Sequence, residues 1–301
     1  MMSRTESALS PVLRRLGLAR QRAEQPNPRA SSFPFVSGDT FRAIGEVLLE
    51  LSETTHRPTL RTGVIFCEAR LLSRADIVDS LRGAKTLLAV PSRARVVIHN
   101  GDNIAPLPLL RWIRDEIGPV FATNIVDEET GITAIPIGLE NVSLKHNGKL
   151  HYYLVELDRP TPLEHRTRLV LSSFHTSTNP TIRDVVRQQV VSSGHSHEDS
   201  FRKSLEYREQ VRRSMFVISP PGNGPDCHRT WEAMYLGAVP VVLSSHLAGS
   251  LRAELPIHAV DDYTEFLSLS QKELTALYIL TRQKSTERAF AMYWLSQVLE
   301  A

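Results

Sequence analysis

Short apolar runs alternate along the chain with stretches whose apolar residues recur at helical spacing, and the alternation occurs twice. In the first half, residues 64–67, 94–99, 121–124 and 133–138 form runs rich in β-branched and aromatic side chains, the pattern of short buried strands. Residues 40–54, 72–83 and 106–116 carry their apolar positions three and four apart and read as helices. A polar segment, 141–167, then interrupts the pattern. It restarts with strands at 168–174, 215–218 and 238–243 and helices at 181–191, 202–213, 227–236 and 262–268, the first opened by the start signal Asn179-Pro180. Residues 287–300 hold Ala289, Phe290, Met292, Tyr293, Leu295 and Leu299 at helical spacing and predict a closing helix.

Repeated strand, polar loop and helix predict parallel sheets with helices on their faces. The expected fold class is α/β, as two tandem Rossmann-like domains with an active-site cleft between them, because ligands of such sheets sit at the carboxyl ends of the strands. The breaker-rich stretch Pro26, Pro28, Ser31, Ser32, Pro34 separates an arm, 1–32, from an N-terminal α/β domain, 33–165, and a C-terminal one, 166–301.

Composition narrows the class. With 301 residues, 42% apolar and 23% charged, the chain has the profile of a folded globular protein rather than a disordered or fibrous one. Cys67 and Cys227 are too few for a disulfide framework, and no apolar run reaches the roughly 18 residues that span a bilayer. The first thirty residues lack a secretory pattern, so a cytoplasmic location is expected. They also hold six arginines against Glu6 and Glu24, a local +4 in a chain of net +2. That arm reads as a flexible extension, and its charge offers peripheral contact with an anionic membrane surface at about 1 kcal/mol per basic group. Nucleic acid is not an expected partner, since no basic strip interleaved with aromatics follows the arm.

The densest chemistry lies between residues 219 and 242. A buried strand leads into Pro220-Pro221-Gly222-Asn223-Gly224-Pro225-Asp226, a helix follows from Cys227-His228-Arg229-Thr230-Trp231-Glu232, and Gly237 ends it before another buried strand. This is one crossover unit whose loop sits at a strand's carboxyl end. Gly222 and Gly224 are expected to allow positive φ and close ligand approach, with Asn223 between them and Asp226 as N-cap. First-turn amides then point at an anion, and His228 and Arg229 add donors and charge at the positive end of the helix. Glu232 lies four residues after His228 and three after Arg229, on the same edge of the helix, at a depth that suits a ribose whose diphosphate reaches the helix start. Trp231, Met234 and Tyr235 face elsewhere and read as core. A dinucleotide fingerprint is excluded, because its third glycine falls at Cys227.

Residues 219–242 resemble the donor-site motif of exostosin-like glycosyltransferases, in which a Gly-rich loop leads into a His-Arg, aromatic, Glu-Ala helix and an apolar Pro-Val-Val strand. Weaker likeness extends to Tyr207-Arg208, to 174–183 and to Ile135-Pro136-Ile137-Gly138-Leu139-Glu140-Asn141. The resemblance implies the two-domain GT-B architecture and a small, soluble glycosyltransferase. Its expected activity moves a sugar from a nucleoside-diphosphate sugar to a hydroxyl of a carbohydrate acceptor. Arg229 and His228 are implied to contact the diphosphate, Glu232 the ribose, and Arg183 a further phosphate oxygen; the nucleotide sugar is a substrate, and no cofactor or metal is expected.

Charge grows on the leaving diphosphate as the bond to the anomeric carbon breaks, and preorganised donors such as Arg229 stabilise it. The acceptor hydroxyl needs a base. Asp102, in the loop His99-Asn100-Gly101-Asp102-Asn103 after a strand, is the candidate, with Glu140 as alternative and His99 and Asn100 on the acceptor side. Asp261-Asp262 reads as a helix start rather than a metal signature, and 195–199 (His195, Ser196, His197, Glu198, Asp199) as a solvated loop. Asn141-Val142-Ser143 matches a glycosylation sequon that is expected to be unused. Cys227 is read as a small first-turn residue. A non-catalytic protein that binds nucleotide sugar or glycan and keeps only the donor pocket is the competing expectation.

Overall fold

The computed structural model describes residues 29–102, 104–144, 149–199 and 204–301. The basic arm up to residue 28, Asn103 of the polar loop and the first two residues of the helix expected at 202–213 lie outside the described residues. Arg29, counted with the arm, pairs with Asp39 at 3.1 Å and with Glu50.

The first half contains α1 (Gly38–Ile44), β1 (Val47–Leu49), β2 (Thr54–His56), β3 (Val64–Glu68), α2 (Ile77–Leu87), β4 (Arg95–His99), α3 (Leu107–Glu116), β5 (Val120–Ala122) and β6 (Ile132–Ala134). They build a sheet of order β2-β1-β3-β4-β5-β6, parallel except for β2 at the edge. After β3 each new strand is laid beside the last in one direction. Then come α4 (His151–Asp158), β7 (Arg168–Ser173), α5 (Pro180–Ser192), β8 (His197–Glu198), α6 (Ser204–Arg212), β9 (Ser214–Ile218), α7 (His228–Tyr235), β10 (Val239–Leu243), α8 (Gly249–Ala253), β11 (His258–Val260), α9 (Tyr263–Leu267), α10 (Gln271–Arg282) and α11 (Ala291–Glu300). The second sheet is wholly parallel, in the order β11-β10-β9-β7-β8. The chain is thus a mixed α/β fold with two distinct sheets.

β3, β4 and β9 are buried along their whole length, which is why they read as unbroken apolar runs rather than alternating ones. The two halves also share a core. Tyr235 of α7 stacks edge-on against Phe35 at 4.8 Å, Phe35 bridges to Phe290, and the Tyr235 hydroxyl donates to the Ala289 carbonyl. α11, although last in sequence, packs on α1, and the Arg95 guanidinium donates to the backbone of Ala301.

Four expectations are corrected. Residues 40–54 are not one helix but α1, β1 and β2. Gly45 is extended (φ −64°, ψ 125°), and Val47, Leu48 and Leu49 are at most 2% exposed, paired with β3; three consecutive buried aliphatics need cover on both sides, which a surface helix lacks. The helix expected at 72–83 begins later, at Ile77, after a tight turn over Ala69–Ser73. The polar segment 141–167 contains α4, whose Tyr153 and Glu156 are buried, Glu156 holding Arg166 and Arg212. Finally, 195–199 is not a solvated loop: β8 extends the sheet beside β7, and His197 Nδ1 bonds the Ser172 hydroxyl at 2.9 Å. The helix start at Asp262 is as expected, its carboxylate accepting from the Thr264 amide.

Candidate active site

In the second sheet the chain steps from β7 outward to β8, then returns to place β9 on β7's other side. Such a reversal leaves a crevice beyond the carboxyl ends of β7 and β9, the place where open α/β sheets bind ligands. A cleft of about 600 Å³ lies there. Phe174, His175 and Thr178 follow β7, Tyr207 comes from α6, and Gly222 to Glu232 follow β9; Asp102, Ile137 and Glu140 close the other wall from the first sheet. Of the residues singled out in the sequence, Asp102, Glu140, Arg183, Gly222, Asn223, Gly224, Asp226, His228, Arg229 and Glu232 all line this cleft. His99 and Asn100 line an adjoining cavity of about 450 Å³ instead, and Asp102, Ile137 and His228 border both.

The loop before α7 differs from its expected geometry. Neither Gly222 nor Gly224 has positive φ. Glycine leaves room there for other side chains: a Cβ on Gly222 would stand 2.9 Å from the Arg183 guanidinium, and one on Gly224 would stand 2.7 Å from the Asn124 amide. Cys227, not Asp226, is the N-cap residue, and its side chain makes no cap bond. Asp226 is turned away, accepting from the Ile137 amide at 2.9 Å and from the Trp231 indole N–H at 2.9 and 3.0 Å. It ties the loop to the first sheet, and burial pushes its carboxyl up to about 6.

Arg183 and Arg229 gather at the base of the cleft, both with guanidinium carbons over the Phe174 ring, at 5.6 and 5.8 Å. Arg183 is anchored by the carbonyls of Pro220, Pro221 and His175 and by the Thr178 hydroxyl, so it splints the Gly-rich loop to the segment after β7. Burial, then the charge of Arg229, pushes it down to about 10. Arg229 has the Tyr207 hydroxyl beside it, and its Nε is buried with no hydrogen-bond partner. Among the described residues no carboxylate forms an ion pair with either arginine. Two close cations with no carboxylate in ion-pair contact favour an anionic occupant.

Glu232 sits a turn deeper at 2% exposure, with Oε1 lacking a partner. Burial raises its pKa, opposed by the charges of His228, Arg229 and Arg208. An unpaired buried carboxylate costs free energy until a donor arrives, so it is poised for ligand hydroxyls. Sequence reading passed over Phe174 as the floor under both arginines, Asn124 as the support of the loop, and Arg208 as a cation near Glu232; the pair Tyr207-Arg208 on α6 was the available signal.

The stretch after β6 makes contacts at three successive residues, the first within its own wall and the other two to the opposite wall. The Pro136 carbonyl accepts from His99 Nε2 at 3.2 Å, the Ile137 amide donates to Asp226, and the Gly138 carbonyl accepts from His228 Nδ1 at 2.7 Å. His99 Nδ1 in turn accepts from the Asn100 amide at 2.8 Å, and burial holds this imidazole neutral, down to about 3. Gly138 itself requires glycine: φ is +67°, and a Cβ would fall 2.1 Å from the Val36 carbonyl. Across the cleft mouth, Asn223 donates to Asp102 Oδ2 at 3.1 Å.

Comparison with known proteins supplies the family of this region. Residues 138–282, which contain Gly138, Arg183 and all of α7, match the family model for the Exostosin GT47 domain. The chain carries an exostosin GT47 domain. The match supports assignment to a glycosyltransferase enzyme family. A protein of Arabidopsis thaliana named as a "Probable glycosyltransferase" is 33% identical over 90 residues, which is 30% of this chain and 18% of that protein. Among the described residues no helix is long and apolar enough to cross a membrane, and no group of three or more His, Cys, Asp or Glu converges as metal ligands would.

Proposed function

We propose that this chain transfers a sugar from a nucleoside-diphosphate sugar to a hydroxyl of a carbohydrate acceptor, in the manner of a GT-B enzyme with the donor against the second sheet and the acceptor against the first. The observation that carries the reading is the pair of guanidiniums over the Phe174 ring, Arg183 from α5 and Arg229 from the start of α7, with no ion-paired carboxylate among the described residues, in a switch-point cleft. The diphosphate takes the α7 amides and Arg229, with Arg183 holding the loop that shapes the site. The ribose hydroxyls donate to Glu232, whose Oε1 is otherwise unpaired. Developing charge on the leaving diphosphate meets fixed donors, a form of stabilisation worth about 10²–10³ in rate for each donor. Asp102 and His228 border both cavities and are the two candidates for the acceptor's base.

The test is a thermal-shift panel of uridine, guanosine, adenosine and thymidine diphosphates and their sugars, on wild type, Arg229→Ala and Glu232→Ala. Stabilisation by one nucleotide family, lost in both variants, is the expected result. No shift with any member would remove the donor site. A protein that binds the nucleotide but releases none from the sugar donor, with or without added glycans, would be a binding protein and not a transferase.

A further inference from the structure

The neutral ring of His228 is held in one tautomer by the backbone. A carbonyl oxygen only accepts, so the 2.7 Å contact to Gly138 requires a hydrogen on Nδ1, and the neutral ring then carries its lone pair on Nε2. The Gly138 carbonyl is itself oriented, because the Leu139 amide of the same peptide plane donates to the Val36 carbonyl at 2.8 Å. The ring stands where the two cavities meet. Glu232, four residues on along α7, interacts favourably with a positive charge on His228, as does Asp226. His99, from β4, is held neutral and adds no competing charge. Asp102, the other residue bordering both cavities, is exposed at the cleft mouth, and one of its carboxylate oxygens already accepts from Asn223.

Resting on the transferase reading above, the geometry points to His228 Nε2 as the catalytic base that takes the proton of the acceptor hydroxyl. As that proton moves to Nε2, the acceptor oxygen forms its bond to the anomeric carbon. The bond from that carbon to the diphosphate oxygen breaks, its electron pair leaving on the diphosphate beside Arg229. The imidazolium is balanced by the Glu232 carboxylate and later returns its proton to water. Attack from the side opposite the leaving group inverts the anomeric configuration. The Gly138 carbonyl is to His228 what an orienting carboxylate is to the histidine of a hydrolytic triad.

The test is His228→Asn, whose amide reproduces the Nδ1 donor to Gly138 but has nothing at the Nε2 position, with His228→Gln as a second variant. The expected result is nucleoside-diphosphate affinity within about threefold of wild type, a fall in turnover at saturating donor of at least ~100-fold, and loss of the acid limb of log kcat/KM against pH. The charged groups that line the two cavities with the ring, Asp226, Arg229 and Glu232 from the α7 segment, Arg183 from α5, Asp199 after β8, Arg70 after β3, Asp102 from the β4 loop and Glu140 from the β6 loop, are all kept in both variants, so the lost limb reports the imidazole. Variants that turn over at wild-type rates with the acid limb intact would overturn the assignment. So would variants whose nucleotide affinity collapses while turnover at saturation persists, since His228 would then be a phosphate ligand. A retained anomeric configuration in the product would overturn it independently. Failure of wild type to bind any nucleoside diphosphate would instead remove the transferase reading on which the assignment rests.

Discussion

The two walls of the cleft are built in opposite ways. On the side of the second sheet, the groups assigned to the donor come from one continuous run, 219–232, splinted by a single arginine from the neighbouring connection: Arg183 spends its N–H groups on the carbonyls of Pro220, Pro221 and His175 and on the Thr178 hydroxyl. On the side of the first sheet, Gly38, Arg70, the end of β4 with its loop, and 137–144 together line a cavity that no single segment defines. The first wall is rigid and charged, as suits a diphosphate whose charge must be met by groups already in place. The second carries charges of both signs, Arg70, Asp102 and Glu140, and is assembled from afar, and the stretch Ile137-Gly138 keeps it in register with the first. Pre-organisation is therefore concentrated where charge develops, and the acceptor side depends on it through one short connection.

The strongest way to break this contrast is to remove the charge. Arg229→Ala is expected to lower kcat/KM by about 10²–10³, with nucleotide affinity falling as well, measured by steady-state kinetics and calorimetric titration. If the fixed cations carry the leaving-group charge, as the donor wall implies, activity persists in EDTA; full loss with recovery on adding manganese would contradict that.

The connection between the walls comes next. Gly138→Ala combines a strained φ with a clash against the Val36 carbonyl and is expected to cost at least ~2 kcal/mol in denaturant unfolding. Gly224→Ala presses on Asn124, which accepts from the Asp226 amide and donates to the Gly101 carbonyl, and is expected to cost about 1–3 kcal/mol.

Asp226 gives a pH signature of the same connection. Its carboxyl is raised in the folded state from the ordinary 3.8 to about 6, so between those values the folded protein holds a proton that the unfolded chain has lost. The stability it contributes is thus present below about pH 4 and is lost as pH rises through 6. Relative to Asp226→Asn, wild type should lose up to about 3 kcal/mol across that window, read from urea titrations at several pH values. A flat difference would mean that the carboxyl is not desolvated as its burial requires. The smallest effect is assigned to Asp102→Asn: with its role confined to the exposed contact with Asn223, turnover should stay within about fivefold of wild type. A larger fall would move the base from the donor wall to the acceptor wall.

The asymmetry also explains what could be read from the residues alone. The alternation of apolar runs and helical spacing gave both sheets in outline, because β3, β4, β7, β9 and β10 sit centrally and their burial leaves a continuous apolar signal. It misread 40–54, where the break at Gly45 is small and Val47-Leu48-Leu49 fits a helix face as well as a strand until the partner β3 is known. The donor wall was legible because its residues are contiguous in the chain. What the glycines and Asp226 do was not, since the crowding of Gly224 by Asn124, and the tie from Asp226 to Ile137, join residues roughly ninety to a hundred positions apart. The acceptor wall was legible only as one polar loop for the same reason: Gly38, Arg70, Asn100 and Asn141 meet only after folding.

The central claim is that the cleft beyond β7 and β9 holds a nucleoside diphosphate through Arg229 and the start of α7. Amide hydrogen exchange on the full chain, with and without the diphosphate selected by the thermal-shift panel, tests it most directly. The account predicts slowed exchange in the segments 174–183 and 219–232, little change across β1 to β3, and no slowing in Arg229→Ala. Slowed exchange confined to the first sheet, or unchanged by the loss of Arg229, would contradict it.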